Sequence, residues 1–423
     1  MPKKIVIIFF IILGTTALIL IIVFNTRTGN TKISLYVYKQ EIENCLPEMC
    51  AAFTARHPGI SMETIIVPDE SYWYLKTLME SGNAPDIIQL QSYNLVFEFA
   101  RAGYLLDLSN EPVISLVSKK WLPAVSLESR VYGLPMDFSG IGIFYNKEIF
   151  GKYDLEPPTT YLDLKKVCSI LKSKGIHPFA GMLKANWSAG HFLTLLHATL
   201  AKSNSAIREW INNMDSCNVS WADPVNTDML FNIMDFYKLN LDPRAPAMTW
   251  HEQQAAFAHG EAGMMVQGLW MYNPLLTTNP DMDCGFIPFP LTNDPGETKF
   301  YADVDSVFAL SASSGKKKQE AAKKFLAWLS SEEAIALWIK KCRLISSFTD
   351  ADFSTQAPPF RDLLVHIRDN GYYEWEFCRY PVSVYKDSVK NSARAYLLGT
   401  SGRADVITTL DNAWKKERKC YED

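Results

Sequence analysis

The chain has 423 residues, of which 48% are apolar and 21% are charged, and its formal net charge is −4. This length exceeds that of one ordinary domain and predicts two lobes or domains with sizeable cores. The apolar content excludes a disordered chain, and the slightly acidic balance gives no basic surface for nucleic acid.

The clearest local signal lies at the N-terminus. Lys3 and Lys4 precede an uncharged run over residues 5–24, which is long enough to cross a bilayer as a helix. The positive flank predicts that the N-terminus lies on the inner side of the membrane and the rest of the chain on the outer side. Because the run is long and lacks a small-residue cleavage site, an uncleaved anchor is favoured over a removed signal peptide. Residues 1–31 are therefore interpreted as an anchor or signal segment and tether.

The chain contains eight cysteines, and outside the cell disulfides can persist. An even count permits four bridges, but spacing alone does not give the connectivity. Cys45 and Cys50 are close in sequence and are the predicted pair, with unpaired buried thiols as the alternative. No Cys-x-x-Cys motif supports a zinc or redox site.

From residue 33 onward, strands and helices alternate. Strands predicted over 33–38, 60–67 and 87–90 are followed by helices over 42–56, 70–80 and 94–102. This pattern is typical of an open, mostly parallel α/β sheet, which binds ligands beyond the carboxyl ends of its strands. The residues that follow the first and third strands are therefore candidate contacts, namely Tyr38, Gln40, Glu41, Gln91 and Ser92.

Residues 132–150 form an apolar extended stretch that two polar residues, Asp137 and Ser139, interrupt. An unpaired carboxylate in an apolar setting is costly. Two interpretations stay open: the segment crosses between two lobes and these residues face a gap, or it is a core strand whose Asp caps a neighbouring helix.

The remaining elements are helix-rich. Helices are predicted over 161–174, 189–201, 316–329 and 332–341, and strands over 176–180, 263–268 and 306–310. Residues 284–290 are predicted as a second crossing segment, and residues 301–305 as the approach to the strand at 306. The C-terminal third is predicted as mostly helix and loop.

Catalytic motifs are missing from the sequence. His251-Glu252 begins like a zinc-protease motif but lacks the second histidine, and neither a nucleophile elbow nor a phosphate-binding glycine loop occurs. A glycosidase-type pair of carboxylates stays possible, since only spatial distances can test it. The pattern favours a binding protein, with no cofactor and no metal.

Several motifs, spread over residues 33–340, resemble one family in its own order. They are Asn-Ala-Pro-Asp-Ile-Ile at 83–88, Gly-Tyr-Leu-Leu-Asp-Leu at 103–108, Tyr-Gly-Leu-Pro at 132–135, Tyr-Asn-Lys-Glu-Ile-Phe at 145–150, Pro-Pro-Thr-Thr-Tyr at 157–161, residues 257–264 with Gly-Leu-Trp at 268–270, and residues 321–332. Together they resemble the extracellular solute-binding proteins of ABC importers, of the type that includes maltose-binding protein.

This resemblance implies two lobes joined by crossing strands, with a ligand cleft between them. It assigns 32–138 plus 288–330 to the N-terminal lobe and 139–287 plus 331–423 to the C-terminal lobe. It also implies a monomer on the extracellular face of the membrane that binds a sugar or oligosaccharide, partners ABC permease subunits and performs no chemistry. Two alternatives are a ligand sensor for a membrane signalling protein and a secreted carbohydrate-active enzyme.

The resemblance carries over to specific residues. Trp270 occupies the family's Gly-x-Trp position, whose ring stacks on sugar, and Asp137 and Ser139 lie where crossing segments offer polar contacts. Rings from the C-terminal lobe are expected at Trp187 and Trp375. Two acidic residues, Asp303 and Asp305, replace a glycine-rich turn common in the family and are candidate contacts. The chain departs from the family in lacking a lipid-carrying cysteine after its apolar run.

Overall fold

A computed structural model describes residues 30–43, 45–67, 72–216, 218–348 and 356–418. The strands are Thr31–Val37 (β1), Ile60–Ile66 (β2), Ile87–Gln91 (β3), Ser126–Leu127 (β4), Arg130–Val131 (β5), Leu134–Asn146 (β6), His177–Ala180 (β7), Ala262–Gly268 (β8), Cys284–Ile287 (β9), Phe300–Leu310 (β10), Ile345–Ser346 (β11) and Tyr372–Tyr373 (β12). The helices are Leu46–Arg56 (α1), Tyr72–Glu80 (α2), Asn94–Arg101 (α3), Lys147–Lys152 (α4), Tyr161–Ser173 (α5), Trp187–Leu200 (α6), Asn204–Asp215 (α7), Thr227–Asn240 (α8), Trp250–Ala258 (α9), Tyr272–Thr278 (α10), Lys316–Leu329 (α11), Glu332–Leu337 (α12), Pro358–Asn370 (α13), Lys390–Leu398 (α14) and Arg403–Arg418 (α15).

One mixed sheet runs through the molecule in the order β2-β1-β3-β10-β6-β8-β7. The β2-β1-β3 end and the β7-β8 end are parallel, as the alternation of strands and helices predicts. The strands between them are antiparallel: β10 to β3 and β6, and β6 to β8 and β9. The prediction of mostly parallel sheets is therefore wrong for the centre, because the chain passes between the two ends in both directions.

Two long strands join the two ends of the sheet. β6 has 13 residues, a length of roughly 40 Å. Its first part pairs with β10 and β11, and its second part pairs with β8 and β9. The predicted crossing at 132–150 is thus a continuous strand. The return crossing is β10. Residues 284–290, predicted for that role, begin with β9, which lies beside the second part of β6.

Local signals set several helix boundaries. Side chains of Thr160, Ser203 and Asn226 accept hydrogen bonds from backbone N–H groups in the first turns of α5, α7 and α8. The helix predicted from residue 42 begins later, at Leu46, after a single 3-10 turn at Gln40–Ile42. The approach predicted for 301–305 is part of β10 instead.

The predicted disulfide between Cys45 and Cys50 is wrong. Cys45 is bonded to Cys342, 297 residues along the chain, and Cys50 carries a thiol. The bridge joins the residue before α1 to the helical turn that follows α12. A contact between residues so far apart depends on the tertiary fold, which cysteine spacing does not encode.

The predicted membrane anchor at 5–24 lies outside the described residues. Within the ranges that the structure covers, no helix combines the length and the apolarity needed to cross a bilayer.

Candidate functional site

A cavity of about 740 Å³ opens between the two ends of the sheet. On one side it is lined by residues at the carboxyl ends of β1 and β3 and from β10: Tyr38, Lys39, Glu41, Gln91 and Asp305. The facing side is formed by residues from 182–191, 249–251 and 390–394, together with Trp270. The first side is called the polar wall below, and the second the aromatic wall.

Three indole rings dominate the aromatic wall. The ring centroid of Trp187 lies 5.5 Å from that of Trp250 and 6.4 Å from that of Trp270. Trp187 and Trp250 are half-buried, whereas Trp270 is only 9% exposed. Such a group of rings presents apolar faces with a few polar edges, which suits a ligand that has both apolar and hydroxyl surfaces.

Trp270 is positioned by a chain of side-chain amides. Its Nε1 donates to Gln267 Oε1 at 3.2 Å, Gln267 Nε2 donates to Gln253 Oε1 at 2.9 Å, and Gln253 Nε2 donates to the Ala180 carbonyl at 3.1 Å. The ring also packs over Gly268, where an added Cβ would lie 2.3 Å from the indole. The Gly-x-Trp spacing therefore has a steric reason, since only glycine leaves room for the ring.

Helix capping places Trp250 at the cleft. Thr249 and Glu252 form a reciprocal capping box, in which Thr249 N and Oγ1 both donate to Glu252 Oε2 at 2.7 Å. This cap begins α9 at Trp250, so the first residue of the helix lies on the aromatic wall. The signal is local and could be recognised in the sequence.

Lys39 organises the polar wall. Its Nζ donates to Asp305 Oδ2 at 2.5 Å and to Asp137 Oδ2 at 3.1 Å, and it lies 3.2 Å from Glu41 Oε1. All four side chains are less than 10% exposed. Asp137 Oδ1 accepts bonds from the backbone N–H and the hydroxyl of Ser306. One ammonium group thus contacts three buried carboxyl groups.

Burial and charge shift the pKa values of this group. Burial opposes the charge of Lys39, but the carboxylates of Asp137, Asp305 and Glu41 outweigh it and raise the Lys39 pKa well above its ordinary range. Burial raises the pKa of Glu41, and it raises that of Asp305 to about 7, in each case against the opposing attraction of Lys39. Near neutral pH the carboxyl group of Asp305 can therefore both donate and accept hydrogen bonds.

Six of the residues predicted from sequence line the cleft: Tyr38, Glu41, Gln91, Trp187, Trp270 and Asp305. A β-bulge places Asp305, because Asp305 and Ser306 together oppose Asp137 in the β6–β10 ladder. For Gln40 the structure describes the backbone, within the 3-10 turn, and not the side chain.

The other predicted residues lie behind the walls. Asp137 contacts Lys39 and Ser306, and Ser92 Oγ donates to the Val304 carbonyl at 2.7 Å. Trp375 is fully buried, donates to the Tyr301 carbonyl at 2.9 Å and packs edge-on against Trp270.

Ser139 and Asp303 are paired across the ladder and are also buried. Asp303 Oδ1 accepts a bond from the Tyr93 hydroxyl at 3.0 Å, and its Oδ2 lies 3.6 Å from Arg379. Burial raises the Asp303 pKa to about 6. Neither of these two residues lines the cavity.

Sequence reasoning missed Lys39, Trp250, His191 and Arg394. Lys39 lies between two predicted contacts, and Trp250 follows a recognisable helix cap, so both had a local signal. Arg394 lies in a region without a family motif. Among the residues described, no group of three or more His, Cys, Asp or Glu side chains could hold a metal ion.

The fold and the cleft define a two-lobed binding protein, and comparisons with known proteins agree. The sequence profile of the bacterial extracellular solute-binding protein family matches residues 40–336. The chain therefore belongs to this family. Its members are binding proteins of transport systems and not enzymes, and they act outside the cytoplasm.

Individual relatives are distant. The chain is 24% identical over 338 residues to the multiple sugar-binding protein of Streptococcus mutans, which covers 77% of this chain and 78% of that protein. It is 23% identical over 266 residues to the maltotriose-binding protein of Pyrococcus abyssi, covering 62% of this chain and 54% of that protein.

Solved structures show the fold. A chitin oligosaccharide binding protein superimposes with a TM-score of 0.80 at 22% identity, and RafE in complex with raffinose does so with a TM-score of 0.80 at 20% identity. Each match covers 92% of this chain and 100% of the other.

Proposed function

We propose that the protein captures an oligosaccharide in the cleft and delivers it to an ABC permease on the extracellular face of the membrane. The observation that carries this proposal is the arrangement of Trp187, Trp250 and Trp270 opposite a wall of carboxylate and amide groups in one cavity. The names of the relatives, which refer to sugars and oligosaccharides, support the same ligand class.

The chemistry of the two walls suits a saccharide. Sugar rings offer apolar C–H faces that pack on indole rings, and their hydroxyl groups can donate to Glu41 and Asp305 or bond with the amide of Gln91. A cavity of about 740 Å³ falls within the range that encloses small-molecule ligands and has room for more than one sugar ring. In this proposal Tyr38 and Trp187 contact the ligand, while Asp137 and Trp375 act by supporting Lys39 and Trp270.

The two long strands suit a hinge. β10 pairs with β3, β6 pairs with β8, and the two strands pair with each other, so a bend in them would bring the two walls together around a ligand. Residues 5–24 would tether the closed, loaded protein near its permease.

Calorimetric titration of the full chain with maltotriose, raffinose, stachyose and chitotriose tests the binding step. Saturable binding of at least one, with a smaller radius of gyration in solution scattering of the complex, is expected. Binding of peptides or polyamines in place of every saccharide would overturn the proposal. Saccharide binding with an unchanged radius of gyration would overturn closure alone.

A further inference from the structure

Three cationic residues of the aromatic wall line the cavity, namely Lys184, Lys390 and Arg394. Across the described ranges, no carboxylate oxygen lies within 4.0 Å of Lys184 Nζ or of the Arg394 guanidinium. Lys184 interacts electrostatically with Glu252 at longer range. The Oε2 atom of Glu252, however, already accepts two hydrogen bonds from Thr249 in the capping box.

The backbone holds the guanidinium of Arg394 next to the chain segment that carries Lys184. Arg394 Nε donates to the Leu183 carbonyl at 2.5 Å, which fixes the guanidinium beside the residue that precedes Lys184. The side-chain amide of Asn186 donates to Asn391 Oδ1 at 2.7 Å and joins the same two segments one turn away. The terminal nitrogens of Arg394 therefore remain available to a ligand, in a planar geometry that matches an anion.

The opposite wall does not neutralise them. Its carboxylates, those of Glu41 and Asp305, are held around Lys39. A ligand that spans the cleft meets hydroxyl-binding groups on one side and unpaired positive charge on the other. Burying two unpaired cations against a neutral sugar on closure would be costly, whereas an anionic group on the ligand removes that cost.

We propose that the preferred ligand is an acidic oligosaccharide whose anionic group, a carboxylate, sulfate or phosphate, binds Lys184 and Arg394. This inference rests on the proposed saccharide-binding function. It assigns the ligand a charge and the two residues a role in specificity, since a hydrogen bond to a charged partner is worth about tenfold or more in affinity.

Matched pairs of ligands test the charge. The full chain is titrated with trigalacturonate and its methyl ester, with lactose 6′-sulfate and lactose, and with maltose 6′-phosphate and maltose. At least one anionic member is expected to bind about tenfold or more tightly than its neutral partner, and the pair that shows this identifies the kind of anion. Raising the salt concentration should reduce this preference, because ions screen partly exposed charges.

Variants test the residues. Arg394→Gln and Lys184→Gln are each expected to reduce the ratio of anionic to neutral affinity about fivefold or more, and Lys119→Gln, an exposed lysine outside the cavity, should leave the ratio unchanged. Saccharide binding without preference for any anionic member overturns this inference and leaves the proposed function standing. An absence of binding to any saccharide overturns both.

Discussion

At the polar wall, a single ammonium group holds three carboxylates in place. Lys39 contacts Asp305, Asp137 and Glu41, and each of these side chains is largely removed from water. Buried charges tolerate this only when they are paired and hydrogen-bonded, so removal of the cation would leave the carboxylates repelling one another. The sequence predicts the acidic residues as ligand contacts. In the structure Lys39 contacts all three, of which Glu41 and Asp305 line the cleft and Asp137 lies behind it.

The stability of the protein should depend on pH through Asp305. Its folded-state pKa is about 7, whereas the pKa of an aspartate in the unfolded chain is about 3.9. Between these values the folded state binds more protons than the unfolded state, so the free energy of unfolding falls as pH rises.

The wild type is therefore expected to lose roughly 2–3 kcal/mol more than Asp305→Asn between pH 5 and pH 7.5, measured by urea unfolding. The asparagine keeps the shape of the side chain but does not titrate. Equal slopes in the two proteins would show that Asp305 is not the titrating group.

Trp250 offers a cleaner test of ring stacking than Trp270 does. Trp270 is nearly buried and packs on Trp375, so its removal would lower stability as well as affinity. Trp250 is half-buried on the aromatic wall.

Trp250→Ala should weaken saccharide binding about tenfold, as the loss of roughly 1.4 kcal/mol of stacking implies, with little change in melting temperature. The exposed ring of Trp73 lies outside the cavity, so Trp73→Ala is the matched control for calorimetry. Equal effects of the two substitutions would count against stacking at Trp250.

At the scale of elements, the end of β8 determines where Trp270 lies. Gln267 and Gly268 close the strand, and the next residues turn into a short 3-10 helix that places the ring against Gly268. The strand therefore supplies both the hydrogen bond and the space that the indole needs.

Gly268→Ala should displace this ring, because the new methyl group would lie 2.3 Å from it. The expected result is weaker saccharide binding together with a loss of about 1–3 kcal/mol in the free energy of unfolding. Gly151→Ala is the control, since no atom lies within 4 Å of a Cβ added there. Unchanged tryptophan fluorescence and affinity in Gly268→Ala would contradict this account.

At the scale of the whole molecule, the Cys45–Cys342 bridge joins segments 297 residues apart. Closing such a long loop restricts the unfolded chain strongly, so the bridge should stabilise the folded state. Disulfides of this kind persist outside the cytoplasm, which agrees with an extracellular family.

Replacing both cysteines by serine should lower the free energy of unfolding by about 2–5 kcal/mol in non-reducing buffer. Cys50→Ser serves as the comparison, because Cys50 is a half-buried thiol on α1, the helix that begins directly after Cys45. With dithiothreitol present, the wild type should approach the double variant. A wild type that unfolds at the same urea concentration with and without the reductant would contradict a stabilising bridge.

The sequence by itself determined the local parts of this protein. The alternation of strands and helices over residues 33–101, the caps at Thr160 and Thr249, and the glycine before Trp270 depend on neighbours in the chain, so a pattern reveals them. Family motifs added the crossing strand β6 and two rings of the aromatic wall, Trp187 and Trp270.

Only the tertiary structure decided which distant residues meet. It paired Lys39 with Asp137 and Asp305, 98 and 266 residues away, and thereby turned two predicted ligand contacts into partners of one cation. It also bonded Cys45 to Cys342 and placed Arg394 at the cleft. The antiparallel pairing at the centre of the sheet is a third such contact. Such contacts depend on how the chain returns to the same place in space, and no spacing along the sequence encodes that.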